Sequence, residues 1–240
     1  MAEFSAHRFS ADVRPAHSRV PVSWRDSGPA EFTGSRRCDG VAVESKHVPA
    51  YAPAMPRTEL NALLKTLLAT PEPPALDGTP RDGTLPAADL NARLDAPLGA
   101  AALLAENAAL VRALLLLWHD HLDAAHTLAQ GVENADGSFV HAIMHRREPD
   151  AWNSKYWWRR VGAHPVFPEL ARQAKALLEA RGEDRLLAEL APGGRWDPAA
   201  FVDACEAARE RGGAEGHVRL LREVQRLETE VLMAHLLAAR

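Results

Sequence analysis

Histidine is the side chain that most often takes part in transition-metal binding and proton transfer near neutral pH. Six of the eleven histidines of this sequence fall between His119 and His164, and four of the six tryptophans fall between Trp118 and Trp158. Their spacing carries more than their number. His119, Asp123 and His126 stand at i, i+4 and i+7, and so do His141, His145 and Glu148. On a helix of 3.6 residues per turn each trio forms one narrow stripe. The connection GVENADGS between them is short, which predicts two antiparallel neighbours. If the stripes face each other, imidazoles and carboxylates share one interior space.

Such a space suits a divalent transition metal, because neutral imidazole and carboxylate are ligands for Zn, Fe, Mn or Ni. His126, His141 and His145 are the expected ligands, with Asp123 or Glu148 as a fourth group and His119 as a further ligand or neighbour. A position left open to water or substrate would make Glu148, with Asp123 beside it, the candidate general base or acid. The same residues also fit a buried hydrogen-bonded network without metal, catalytic or purely structural. An HxxxH spacing by itself is a weak motif.

A basic and aromatic segment follows. Residues 141–160 hold five Lys or Arg against Glu148 and Asp150, a local charge of +3 in a chain of net charge −4. Arg146, Lys155, Arg159 and Arg160 are candidates to hold a carboxylate or phosphate, since guanidinium geometry matches those anions. Tyr156 would wall such a pocket and His164, before Pro165, would cap it. Trp157 and Trp158 fit core packing better than ligand stacking, given the area an aromatic ring buries. His217 and His235 read as surface or packing residues.

The totals exclude several classes. An acidic balance of −4 argues against a dedicated nucleic-acid binder. A compact basic patch points to a small anionic molecule rather than a polymer. Cys38 and Cys205 form neither a disulfide framework nor a CxxC motif, which fits a reducing compartment, and the cytoplasm is the expected location. The most apolar run, 108–118, contains Arg112 and is far shorter than the roughly 20 residues a membrane span needs. The N-terminal stretch lacks the apolar core of a secretion signal, though its Arg, Ser and Ala content resembles an organelle-targeting peptide.

The elements that must position these residues are helices throughout. Residues 1–55 have no sustained apolar period and read as a disordered leader, with a short extended piece at 41–43. A single all-α domain is expected over 56–240: a helical bundle around a central antiparallel hairpin at about 100–148. Leu60, Leu63, Leu64, Leu67 and Leu68 open it at helical spacing, with Thr58 as the cap. Residues 70–86 carry too much Pro and Gly for regular structure and form a loop or linker. Further helices are predicted at 86–95, 100–130, 138–148, 153–161, 168–181, 197–211 and 215–240. Ser138 and Asp197 are the expected caps, and Pro149, Gly162 and Gly182 the stops. No internal repeat and no sustained heptad is present.

The run WHDHLDAAHTLAQ (118–130), then GSFVHAIMHRREPD (137–150), then KYWWRRVGAHPVF (155–167) resembles a family of small uncharacterised proteins in bacteria and fungi. The likeness is close over about 50 residues and loose in the flanking helices. It implies that the block works as one unit. The family has no established activity, so the resemblance implies no reaction, cofactor or residue role.

The leading expectation is a metal-dependent enzyme acting on a small anionic molecule. The alternative is a non-enzymatic helical module that binds a small anion or a partner protein, its His, Asp and Glu stripes forming a polar core. Haem held by two histidines is a third and weaker option, because Asp123 and Glu148 would sit beside the porphyrin.

Overall fold

The apolar periods close into helices wherever the caps and breakers allow. A computed structural model describes residues 55–238. The leader expected over 1–55, Met55 apart, and the extended piece at 41–43 lie outside the described residues. Among these residues the regular structure is all helical: α1 (Arg57–Leu68), α2 (Ala87–Ala100), α3 (Ala105–Trp118), α4 (Leu122–Gln130), α5 (Ala135–Arg147), α6 (Ala151–Val161), α7 (Phe167–Glu179), α8 (Asp184–Leu190), α9 (Pro198–Glu210) and α10 (Glu215–Ala238). The all-α bundle expected from periodicity is what forms. No helix among the described residues is long and apolar enough to cross a membrane.

Two apolar clusters organise the bundle. One gathers Leu64, Leu94, Leu114, Phe139, Ile143 and Trp158 from α1 to α6. The other gathers Leu170, Leu190, Trp196, Phe201 and Cys205 from α7 to α9. Helix α10 serves both: Leu220 to Leu227 pack into the second cluster, and Val231 to Leu237 into the first. At its middle, Glu228 pairs with Arg146 of α5, both side chains fully buried, and the Arg146 guanidinium lies 4.3 Å from the centre of the Phe201 ring. Burial opposes the Arg146 charge, but the adjacent Glu228 carboxylate reverses this and holds its pKa above the ordinary value.

Helix α5 is the centre of the arrangement: every residue from Gly137 to Arg147 is buried. It starts earlier than the predicted cap at Ser138. Asn134 takes that role, its side chain accepting from the Gly137 N–H at 2.9 Å. Gly137 itself is required by space, since a Cβ there would lie 2.0 Å from the Val132 carbonyl oxygen. Asp150 caps α6 by accepting from the Asn153 N–H. The Ser154 hydroxyl donates to the Ala142 carbonyl at 2.7 Å and locks α6 onto α5.

The single helix predicted for 100–130 is broken. α3 ends at Trp118, α4 begins at Leu122, and Asp120 between them is left-handed at φ 68°. That conformation is costly for a non-glycine residue, and here tertiary contacts impose it. The Asp120 carboxylate accepts from Arg147 at 2.6 Å, and from both the Nε and the backbone N–H of Arg81. Arg147 and Arg81 also donate to the carbonyls of Leu117 and Trp118, the last ones of α3. The turn is thus held by residues far away in sequence. A short helix, α8, forms where none was predicted.

Candidate functional site

Breaking the long helix splits the first histidine stripe. His119 turns away into the junction with the loop that precedes α2. Its Nδ1 accepts from the Leu85 N–H at 3.0 Å, and its Nε2 donates to the Leu67 carbonyl at 2.9 Å. Both nitrogens are satisfied by backbone, so the expected metal ligand is a structural residue. Burial keeps its imidazole below the usual pKa, against the pull of the Leu67 carbonyl. Asp123 is exposed on α4 and has no side-chain partner among the described residues. Neither it nor His119 joins the second stripe.

His126 does join it. The ring centres of His126 and His141 are 5.0 Å apart, those of His126 and His145 5.3 Å, and those of His141 and His145 6.1 Å. The hydrogen-bond partners fix where the protons are. The Gly137 carbonyl can only accept, so His141 donates to it from Nδ1, at 3.3 Å. The Glu148 carboxylate likewise takes the Nδ1 proton of His145 at 3.0 Å. In a neutral imidazole this leaves Nε2 with a bare lone pair. For His145 that lone pair is 3.2 Å from the Asn153 amide nitrogen, and for His126 the Nε2 is 2.9 Å from the Gln130 amide nitrogen. The Nε2 of His141 is buried and has no partner among the described residues.

Electrostatics keep the His141 and His145 rings neutral. Burial, with help from His126, His145 and Arg160, pushes the His141 pKa down to about 4 against the Gly137 carbonyl. Burial also lowers His145, opposed by Glu148. Trp157 stacks on the His141 ring at 4.0 Å and 9°, and the Arg160 guanidinium lies 5.2 Å from the Trp157 ring centre. Trp157 therefore acts as a wall of this site.

A second group was not visible in the spacing. Asp136 at the start of α5, His164 between α6 and α7, and His235 on α10 bring three potential ligand atoms within 4.8 Å of one another. The Nε2 atoms of His164 and His235 lie 3.0 and 3.2 Å from the same Asp136 oxygen. By distance this is the one set of three among the described residues that could hold a metal ion. The nitrogens of His126, His141 and His145 do not converge so closely, because the rings of His141 and His145 lie side by side at 19°.

Proton placement reverses that order. The Val166 N–H points at His164 Nδ1, at 3.4 Å, so the proton of a neutral His164 is on Nε2 and goes to Asp136. A metal on that nitrogen would need the proton on Nδ1, where a backbone donor already points. The Asp136 group is wired as a hydrogen-bonded clasp between α5, the α6–α7 loop and α10. Burial pushes the Asp136 carboxyl up, and the two imidazoles more than reverse this and hold it below its ordinary range. His164, expected as a pocket cap, belongs to this clasp.

The predicted anion-binding residues divide in two. Arg146 is consumed by Glu228, and Lys155 pairs with Asp203 of α9. Arg159 and Arg160 are exposed and have no carboxylate partner among the described residues, and Tyr156 is partly exposed beside them. Glu148 is spent on orienting His145 and serves it as a positioning residue. Cavities of about 730 Å³ between α1 and α10, and about 510 Å³ beside Leu60 and Leu103, are not lined by these histidines.

Comparison of the chain with family models, with curated proteins and with solved structures returned no match.

Proposed function

We propose that this chain is a metal-dependent enzyme acting on a small anionic molecule, with a divalent transition ion held by Nε2 of His126, His141 and His145. The observation that carries the reading is the buried Nε2 of His141, which has no partner among the described residues and is left with a lone pair because the Gly137 carbonyl takes the ring proton on Nδ1. A buried acceptor left unpaired costs about 1–3 kcal/mol, so a partner is called for. The Nδ1 contacts of His141 and His145 with a carbonyl and a carboxylate are the outer partners that metal-bound histidines have. Closing the three rings on one ion takes a rotation of His145 and His126 away from the Asn153 and Gln130 amides. Imidazole nitrogen suits Zn, Fe, Mn and Ni alike. When bound, such an ion supplies Lewis acidity toward a substrate oxygen. Arg160 supplies positive charge beside His141, and Trp157 excludes water from one side of it. A cytoplasmic location is part of the same proposal.

A second reading, the non-enzymatic helical module, is favoured by one observation: the cavities of about 730 and 510 Å³ are not lined by the histidines. In that case the histidines are a polar core, and any ligand enters elsewhere.

Elemental analysis separates the two. The metal reading predicts close to one equivalent of a transition metal in the purified chain. His126→Ala with His145→Ala should lose it, and chelation should lower the melting temperature of the wild type alone. Substoichiometric metal in the wild type, with equal melting temperatures with and without chelator, selects the helical module.

A further inference from the structure

We infer that the outer face of α6 is the recognition platform for the substrate of the proposed metal site, and that this substrate is a planar aromatic ring carrying a phosphate or carboxylate. The chemistry rests on the metal reading above, but binding to the platform does not require the ion.

Trp152 is 75% exposed and Tyr156 38%. A helix that buries Trp158 and packs Trp157 on a histidine has no packing reason to hold a third indole in water. The two exposed rings stand at i and i+4, on one face, with planes only 12° apart and centres 6.3 Å apart. Their near-parallel rings leave apolar π-surface exposed to water, and another aromatic π-face is what such a surface recognises. The charge beside it is positive and uncommitted. Of the five cations between residues 141 and 160, Arg146, Arg147 and Lys155 are paired with Glu228, Asp120 and Asp203. Arg159 and Arg160 are the two without a carboxylate partner among the described residues. The Arg159 guanidinium lies 6.0 Å from the Tyr156 ring centre.

The platform is continuous with the site. Tyr156 meets Trp157 edge to face at 5.5 Å, and Trp157 stacks on His141. A ring resting on Trp152 and Tyr156 would give its anionic group to Arg159 beside Tyr156 or to Arg160, which lies over Trp157 on the side that leads to His141. A non-aromatic anion would use the arginines and leave the indole in water.

Calorimetric titration of the chelator-treated full chain tests this, with phenyl phosphate, benzoate and glycerol 3-phosphate as probes. The expected result is binding of an aromatic anion at least about tenfold tighter than glycerol 3-phosphate, in line with the stacking energy of an aromatic ring. Phenyl phosphate against benzoate then identifies the anionic group. Trp152→Ala should weaken binding by about tenfold and Trp152→Phe should restore most of it, both with wild-type metal content. The inference is overturned by equal affinity for all three probes, by no binding of either aromatic anion, or by Trp152→Ala binding like wild type. It is also overturned if Trp152→Ala merely converts a dimer to a monomer, which would make this face a contact between two copies. A wild type free of metal that still binds phenyl phosphate through Trp152 would sink the metal reading and leave the platform standing.

Discussion

Two groups of histidines are built on the same helix with opposite wiring. At the start of α5, Asp136 receives the Nε2 protons of its neighbours, so the group is closed on itself. About 140–180° round the helix, His141 and His145 give their Nδ1 protons to Gly137 and Glu148, which leaves the lone pairs on Nε2. Distance alone ranks the first group as the better metal cage, and proton bookkeeping ranks the second. Which atom carries hydrogen decides whether clustered imidazoles hold the fold together or wait for something to bind.

The largest expected effect concerns the frame that both groups share. Glu228→Gln leaves Arg146 charged and buried without its counterion, and should cost about 3–5 kcal/mol of unfolding free energy. Replacing both partners with apolar residues, Arg146→Met with Glu228→Leu, should recover most of it. Chemical denaturation measures both. A loss below about 1 kcal/mol for Glu228→Gln would show that this pair does not anchor α10 to α5.

Acid provides the next contrast. The His141 pKa is about 4 in the folded chain against an ordinary 6.5, so the unfolded chain binds more protons between those values. Stability of the metal-free protein is therefore full above pH 6.5 and falls as pH drops toward 4. The loss from His141 is about 2 kcal/mol between pH 7.5 and 5, and His119 and His145 add to it in the same direction. Asp136 behaves differently. Its depressed pKa stabilises the fold above the unfolded value of 3.8, and that contribution is lost only as pH falls below it. His141→Phe should flatten the pH 5–7.5 profile, and an unchanged slope would contradict the neutral buried imidazole.

The smallest effect divides the two groups most cleanly. Asp136→Asn should cost about 1 kcal/mol, because it weakens hydrogen bonds to a charged acceptor, and should leave metal content intact. Glu148→Gln should do the reverse: little change in the metal-free melting temperature and metal affinity lowered about 10- to 100-fold. Metal lost through Asp136→Asn and retained in Glu148→Gln would exchange the two assignments.

The hairpin of His126, His141 and His145 was legible from sequence because its spacing is local: i, i+4 on α5, a short turn, and a facing helix. The all-helical fold was legible for the same reason. The split at residues 119–121 was not, because Arg81 and Arg147 impose it on a stretch with no Gly or Pro. That single turn removed His119 and Asp123 from the expected stripe. Asp136, His164 and His235 sit on three separate elements, so no spacing rule connects them. The charge pattern around Arg146 was visible, but its partner Glu228 is on α10 and only packing reveals it. Asn153 and Gln130 were missed because side-chain amides carry no distinctive spacing.

Helix α10 has a consequence for how the molecule comes apart. Its first half completes one apolar cluster and its second half the other, with Glu228 fixed between them. Loss of this helix strips side chains from both clusters at once. The described helices should therefore melt in one cooperative step, with a single transition by near- and far-ultraviolet dichroism alike.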